Sequence, residues 1–363
     1  MPDDLLVVGG GPAGLATAIR ARLAGLSATV LDRARPPIDK ACGEGLMPDA
    51  VARLREIGVE PRGIPFRGIR YIDGDLVAEG VFPQAGGLGV RRLALHEALV
   101  RRAEEVGVAL RWGVKAHGLG SGGVETDQGP FVARFLVGAD GLRSQVRGWA
   151  GLAGAESALR RFGVRRHFAI PPWSDFVEVH WGPDREAYVT PVGPDEVGIA
   201  FLWSGGKGGF EDHLAHFPAL RDRLAGAPAT SADRGTGPLH QRARSVARGN
   251  LALVGDAAGY LDAITGEGLA VALHESAALV EALRAGSLAG YETAHRRINR
   301  LPNAMTSLVL ALERRPGLRR RALRALAAEP AVFSRLLGIH ARTLPPRRLG
   351  LGSLRLALRL LVA

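Results

Sequence analysis

The chain has 363 residues, a formal net charge of +11 and 47% apolar residues. That is enough for two domains sharing a boundary core, and it excludes collagen-like and disordered classes. A single cysteine, Cys42, excludes a disulfide framework and a cysteine-rich metal site and is consistent with a reducing compartment. No uncharged apolar run reaches the roughly 18 residues of a membrane span, and the first strand begins so early that no signal peptide is expected. The charge is uneven. Residues 314–363 hold twelve arginines, no lysine and one acid, Glu329, so this segment carries the whole +11.

The chain opens on an apolar run, residues 5–8, that reads as a strand. Gly9, Gly11 and Gly14 follow in GxGxxG spacing, with Pro12 and Ala13 inside the motif. A helical stretch over 15–23 ends at Gly25, and a second strand over 28–31 is closed by Asp32. This is a dinucleotide-binding βαβ unit. Gly9 permits the tight turn, Gly11 lets the backbone approach a pyrophosphate, and Gly14 lets helix and strand pack closely. The helix N-terminus offers free N–H groups and a partial positive charge to the phosphates. Asp32 stands where a carboxylate accepts from ribose hydroxyls.

Pro36 and Pro37 exclude a helix after Asp32, and Lys40, Cys42, Gly43, Glu44 and Gly45 form a glycine-flanked loop. A short helix is expected over 49–57, and a hairpin over 66–82 turning at Asp73-Gly74. Arg91 and Arg92 precede a further helix. A strand over 108–112, a glycine-rich hairpin or loop over 117–130 and a strand over 131–137 lead to Gly138-Ala139-Asp140-Gly141. The composition then changes. Residues 176–181, 187–190 and 197–203, punctuated by proline and glycine, read as an antiparallel sheet facing a ligand. A helix is expected over 210–224 and a loop-rich return over 225–250. The strand 251–254 runs into Gly255-Asp256-Ala257-Ala258-Gly259, and Gly266 and Gly268 open a helix ending near Leu283. Residues 288–315 read as helical with a kink or break at Pro302. Beyond Pro316 the chain is helix-prone and broken by prolines.

Three separated motifs, GGGPAG at 9–14, GADGLRSQVR at 138–147 and GDAAGYLDAITGEGL at 255–269, resemble those of the group 2 FAD-dependent oxidoreductases. That is the fold of para-hydroxybenzoate hydroxylase, aromatic monooxygenases and geranylgeranyl reductases. The resemblance implies an α/β fold: a Rossmann-like FAD-binding domain interleaved with an antiparallel-sheet substrate domain, and a helical C-terminus. The expected division is 1–60, 86–154 and 246–290 for FAD, 61–85 and 155–245 for substrate, and 291–363 for the basic helical region. By the resemblance Gly9, Gly11, Pro12, Ala13, Gly14 and Asp32 hold the ADP part of FAD. Arg91 or Arg92 contacts the cofactor, the register being ambiguous. Asp140 and Gly141, with Arg143 and Arg147 after them, bind FAD. Gly255 and Asp256 stand near the ribitol, and Gly266 and Gly268 beside the pyrimidine side of the flavin. A helix beginning there offers N–H groups and a dipole to the charge of the reduced ring. NAD(P)H is implied as a transient reductant.

Candidate reaction-cavity residues are Cys42, Glu44, His180 and Tyr188. Cys42 either lines the cavity, as a matching cysteine does in geranylgeranyl reductases, or is a packed apolar residue. Lys40 and Glu44 either orient substrate or form a surface pair. His180 and Tyr188, with Trp203, lie on sheet strands whose alternate side chains face a pocket. His96 and His274 have no partners at metal spacing, and no metal site is expected. Two activities fit. The first is an FAD-dependent monooxygenase that hydroxylates a lipophilic, aromatic or polyketide-derived substrate with NAD(P)H and oxygen. The alternative reduces alkene bonds of an isoprenoid or other lipophilic substrate, and the loop at 40–48 and the third motif look closer to that branch. The tail carries no nucleic-acid signature, so no nucleic-acid partner is expected. Its arginines interleaved with leucines suit either docking on the protein's own surface or peripheral contact with an anionic bilayer. The expected location is cytoplasmic, or peripheral to the membrane. Oligomeric state is not legible.

Overall fold

The computed structural model describes residues 3–206 and 208–349. β1 (Asp3–Val8), α1 (Pro12–Leu23) and β2 (Ala28–Asp32) form the βαβ unit, with Leu5 opposite Ala28 and Val8 opposite Leu31 in parallel register. A Cβ on Gly14 would lie 1.9 Å from the Gly9 carbonyl oxygen. Only glycine lets the helix sit this low on the turn.

The chain leaves this sheet through β3 (Gly45–Leu46), α2 (Pro48–Arg55) and β4 (Ile64–Phe66), then makes a hairpin of β5 (Gly68–Asp73) and β6 (Leu76–Val81). Asp73 pairs with Leu76, so the turn is Gly74-Asp75, one residue later than expected. Gly74 has φ +66°, which suits the first central position of such a two-residue turn. The chain returns by β7 (Gly87–Gly89), α3 (Arg92–Glu105) and β8 (Ala109–Trp112), and then forms β9 (Ala116–Gly120), β10 (Gly123–Thr126), β11 (Gly129–Gly138) and α4 (Gln145–Trp149).

Next come β12 (Arg161–Phe168), β13 (Phe176–Gly182), β14 (Arg185–Gly193) and β15 (Glu196–Ser204). The helix expected over 210–224 is two short ones, α5 (Phe210–Leu214) and α6 (Pro218–Leu224), because Pro218 cannot donate an N–H to the preceding turn. β16 (Arg234–Thr236), β17 (Ala247–Arg248) and β18 (Leu251–Leu253) precede α7 (Gly268–Arg284). α8 (Tyr291–Glu313) continues through Pro302, and α9 (Pro316–Ala328) and α10 (Pro330–His340) follow.

The first sheet has the order β17-β18-β11-β1-β2-β8, parallel from β18 to β8. The second has the order β16-β12-β15-β14-β13-β5-β6. The early hairpin therefore joins it, β5 lying parallel to β13. Both faces of the second sheet are covered. One face, with Val179, Trp181 and Leu202, packs on Leu310, Leu323, Phe333 and Leu337 of the C-terminal helices. The other, with Ile199, Phe201 and Trp203, packs on Phe210 and Phe217 of α5 and the residue before α6. The basic segment therefore docks on the protein itself. Arg319 Nε donates to Asp73 Oδ2 at 2.9 Å, and Arg320 to Asp73 and Asp75. Arg355, Arg359 and their neighbouring leucines lie outside the described residues. Among the described residues no helix is long and apolar enough to cross a membrane.

Candidate functional site

The three motifs converge because β1, β11 and β18 are adjacent strands that end on the same side. Gly10 is held from both faces of its peptide. Its N–H donates to Asp32 Oδ2 at 2.8 Å, and its carbonyl accepts from His96 Nε2 at 2.8 Å. Burial lowers the pKa of His96 and keeps the ring in the neutral form this pair of bonds needs, since the Ile38 N–H donates to Nδ1. His96 thus positions the glycine turn. Asp140 organises the second motif, accepting from the Ser144 hydroxyl at 2.5 Å and from the Gln145 N–H at 2.7 Å. Arg147 ties the second motif to the third. Its guanidinium donates to the carbonyls of Ala257 at 3.0 Å and Asp256 at 3.3 Å. The Asp256 carboxylate makes no hydrogen bond of its own among the described residues. Burial raises its pKa, opposed by the nearby Arg92 and Lys40.

A cavity of about 910 Å³ begins at Gly11, Pro12 and Ala13, passes Arg92, Asp140, Gly141, Gly255 and Asp256, and reaches Gly266 and Gly268. From there it continues between the second sheet and the C-terminal helices. Gly9, Gly14 and Asp32 shape the turn without lining the cavity. Of the adjacent arginines Arg92 lines it, whereas Arg91 turns away to pair with Glu196. Of the two arginines the sequence left equivalent, Arg92 is the one at the cavity.

The candidate reaction residues divide. Cys42, Glu44 and Tyr188 line the cavity. Burial pushes the Cys42 thiol up, against a nucleophilic role at neutral pH. Glu44 takes a left-handed backbone with φ 60°. Its carboxylate accepts from the Arg92 N–H at 2.7 Å and meets His167 Nε2 at 2.5 Å. It therefore pins its loop to α3 and β12. Tyr188 donates its hydroxyl to the Ile264 carbonyl at 3.0 Å. His180 departs from expectation. Val177, Val179 and Trp181 line the cavity, and the pleat turns Glu178 and His180 to the opposite face, where His180 Nε2 lies 3.1 Å from Glu178 Oε2. Trp203 departs for the same reason and packs on His213. His274 pairs with Asp49. No metal-ligating cluster occurs among the described residues.

The sequence reading missed Tyr71, Trp181, Phe333 and His340 in the cavity wall. Tyr71 stacks on Phe333 at 5.4 Å and lies 6.0 Å from Trp181, and burial pushes its phenol up to about 12. No local motif marks these residues, because they come from three distant segments, β5, β13 and α10. Behind the wall, buried Arg161 is shared by three carboxylates, Glu186 at 2.8 Å, Asp262 at 2.9 Å and Glu313 at 3.2 Å. With one cation among three acids, burial pushes Glu186 up to about 8.

FAD fits this site on the structure's own terms. A Cβ on Gly11 would meet nothing closer than Arg92 Nη2 at 3.9 Å, and one on Gly266 nothing within 4 Å, so both glycines leave backbone open to a ligand. α1 and α7 both begin at the cavity, and neither has an acid in its first turn or a side-chain cap. Their N–H groups are left for an anion and for a polar ring edge. Arg92 Nε is buried without a partner among the described residues.

Glycine turn, paired helix N-termini and a sheet-backed cavity together define an FAD-dependent oxidoreductase. The chain resembles the group 2 FAD-dependent oxidoreductases, which share the para-hydroxybenzoate hydroxylase fold. Residues 3–80 match the FAD binding domain family. The chain is 28% identical to a menaquinone reductase of Mycolicibacterium smegmatis over 80% of its own length and 78% of the relative's. It is 27% identical to digeranylgeranylglycerophospholipid reductase 1 of Methanothermobacter thermautotrophicus, over 79% and 76%. Its fold matches a flavoprotein/dehydrogenase from Cytophaga hutchinsonii with a TM-score of 0.82 at 18% identity, covering 97% of this chain and 96% of that one.

Proposed function

We propose that the protein is a flavoprotein reductase that saturates a carbon–carbon double bond of an isoprenoid chain on a lipophilic substrate, with NAD(P)H reducing the bound FAD. The observation that carries this reading is the continuity of the cavity. From Gly266 it runs past Tyr71, Trp181 and Phe333 to Met305, Leu308 and Leu312 of α8. Such a passage suits a long apolar chain threaded toward the cofactor. The similarity to two reductases named for a prenylated quinone and an isoprenoid lipid supports the same substrate class. Hydroxylation of a lipophilic aromatic substrate is the second reading, favoured by the aromatic wall.

Bound FAD supplies the redox chemistry, taking up two electrons and releasing them as hydride. The chain's residues do the rest. The first turn of α1 and Arg92 would hold the pyrophosphate, Asp256 the ribitol, and the N–H groups at the start of α7 the pyrimidine edge. Apolar residues of β13 and α10 keep water from the reacting carbons.

The test is anaerobic. Protein loaded with FAD and chemically reduced is mixed with a polyprenyl quinone or an unsaturated isoprenoid lipid. Reoxidation of the flavin without oxygen, and a product with two more hydrogens, is the expected result. Product that forms only in air and carries an added oxygen overturns the reductase reading in favour of hydroxylation.

Peripheral contact with an anionic bilayer belongs to the same proposal. α8 and α9 expose Leu308 and Leu318, and Arg314, Arg315, Arg321 and Arg324 are exposed nearby in the chain, a composition that suits such a surface. Co-sedimentation with anionic liposomes at low salt is expected. A protein that stays in the supernatant under those conditions removes the bilayer from the proposal.

A further inference from the structure

Glu267 and His340 meet at the wall of the cavity. Glu267 stands between Gly266 and Gly268 of the third motif, and His340 closes α10. Their side chains are 6% and 8% exposed. Glu267 occupies the N-cap position of α7, yet its side chain does not cap the helix. It turns instead toward His340, whose ring lines the cavity.

The hydrogen bonds fix the proton count. His340 Nε2 lies 3.0 Å from the Thr265 carbonyl oxygen. A carbonyl only accepts, so Nε2 carries a proton. The other ring nitrogen, Nδ1, lies 3.4 Å from Glu267 Oε2, and neither atom has a hydrogen-bond partner among the described residues. In the neutral ring Nδ1 only accepts. A charged carboxylate would set lone pair against lone pair in a buried place. One proton between the two atoms removes that conflict, carried either by a neutral glutamic acid or by an imidazolium facing a carboxylate. Burial favours the neutral pair, pushing Glu267 up to about 8 and His340 down. The surrounding charges are Arg342, near both groups, and Asp49, near Glu267. Asp49 is itself paired with His274 and Arg53.

We propose that the Glu267–His340 pair is the proton donor for the substrate. This rests on the reductase reading above. Saturating one double bond adds a hydride to one carbon and a proton to the other. The reduced cofactor supplies the hydride. His340 gives its Nε2 proton to the second carbon while Nδ1 takes the proton of Glu267; water then reprotonates Nε2, and Nδ1 returns its proton to the Glu267 carboxylate. The pair thereby returns to its starting proton count after each turnover.

The experiment uses the full-length protein loaded with FAD, as wild type, His340→Asn, Glu267→Gln and Glu267→Asp. Anaerobic reoxidation of the reduced protein by an unsaturated isoprenoid lipid is followed by stopped flow. His340→Asn is expected to slow it about 100-fold or more, in the range of a lost general acid, with FAD content and reduction by dithionite unchanged. The wild-type rate falls as pH rises through about 8, where Glu267 loses its proton. Glu267→Gln loses that limb, and Glu267→Asp restores part of the rate. Wild-type rates and an unchanged pH profile in His340→Asn and Glu267→Gln overturn the proposal. A second readout is independent of turnover. Nitrogen-15 NMR of the loaded protein at neutral pH is expected to show Nε2 protonated and Nδ1 as an acceptor, shifted by Glu267→Gln. A ring that titrates like free histidine, or carries its proton on Nδ1, overturns it as well. If no unsaturated isoprenoid reoxidises even the wild type, the reductase reading is what fails, and the NMR result decides the pair alone.

Discussion

The two sheets make their parts of the site by different means. The parallel sheet presents backbone: glycines and helix N-termini, arranged by β1, β11 and β18, face the cofactor with N–H groups. The seven-stranded sheet presents side chains drawn from β5, β13, β14 and the helices beyond residue 300, and it carries buried charge at Arg161. A backbone site tolerates change everywhere except at a few glycines. A side-chain site spreads its dependence over many residues, with strong dependence only where charge is buried. That difference can be tested directly.

The largest effect is expected on the backbone side. Gly14→Val drives a branched side chain into the Gly9 carbonyl, 1.9 Å from where Cβ would sit. Flavin absorbance should vanish from the purified protein, and stability should fall by about 3 kcal/mol or more. Gly118→Ala, outside the cavity and with nothing within 4 Å of its Cβ, is the matched control and should keep both. If the two variants behave alike, the backbone account is wrong.

Next comes buried charge in the second sheet. Arg161→Met leaves Glu186, Asp262 and Glu313 without their shared cation, and chemical unfolding should register a loss of about 3–5 kcal/mol. A loss below about 1 kcal/mol would mean that the three acids are neutral already. Glu186 also sets a pH dependence. Its folded pKa, about 8, lies above its ordinary 4.5. Between those values the folded state holds a proton that the unfolded state has released, so stability falls as pH rises through that window. Urea unfolding from pH 5 to 8 should show this decline in the wild type and a shallower one in Glu186→Gln, with Glu267 supplying a remainder of the same sign. Equal slopes in the two proteins would refute it.

The smallest expected effect is local. Asp256→Asn takes away the carboxylate proposed to face the ribitol and should weaken FAD binding by about 1–3 kcal/mol without moving the apo protein's melting temperature. Fluorescence titration with FAD measures it, and an unchanged affinity would take Asp256 out of the site.

The cofactor half of the site was legible because each of its requirements is met by a residue type at fixed spacing. The substrate half was legible only as a region. β12 escaped the reading because residues 161–168 contain three arginines and a histidine and look solvated. Arg161 and Arg165 are in fact buried, their charge met by acids from distant segments. His180 and Trp203 were placed facing the ligand on alternation alone. Alternation says which residues share a face. Which face meets the cavity depends on where the helices pack, and α9 and α10, which cover the cavity face, lie far away in the chain.

The sequence by itself determined that this protein folds a dinucleotide-binding βαβ unit, because glycine sterics and helix ends act within a few residues of chain, and the resemblance of its three motifs implied that the dinucleotide is FAD. Only the tertiary structure decided that Arg92 rather than Arg91 faces the cavity, that β5 of the early hairpin runs parallel to β13, and that His340 meets Glu267. Those outcomes depend on long-range packing, which chooses the partner of each buried polar group among many candidates that a linear pattern leaves equivalent.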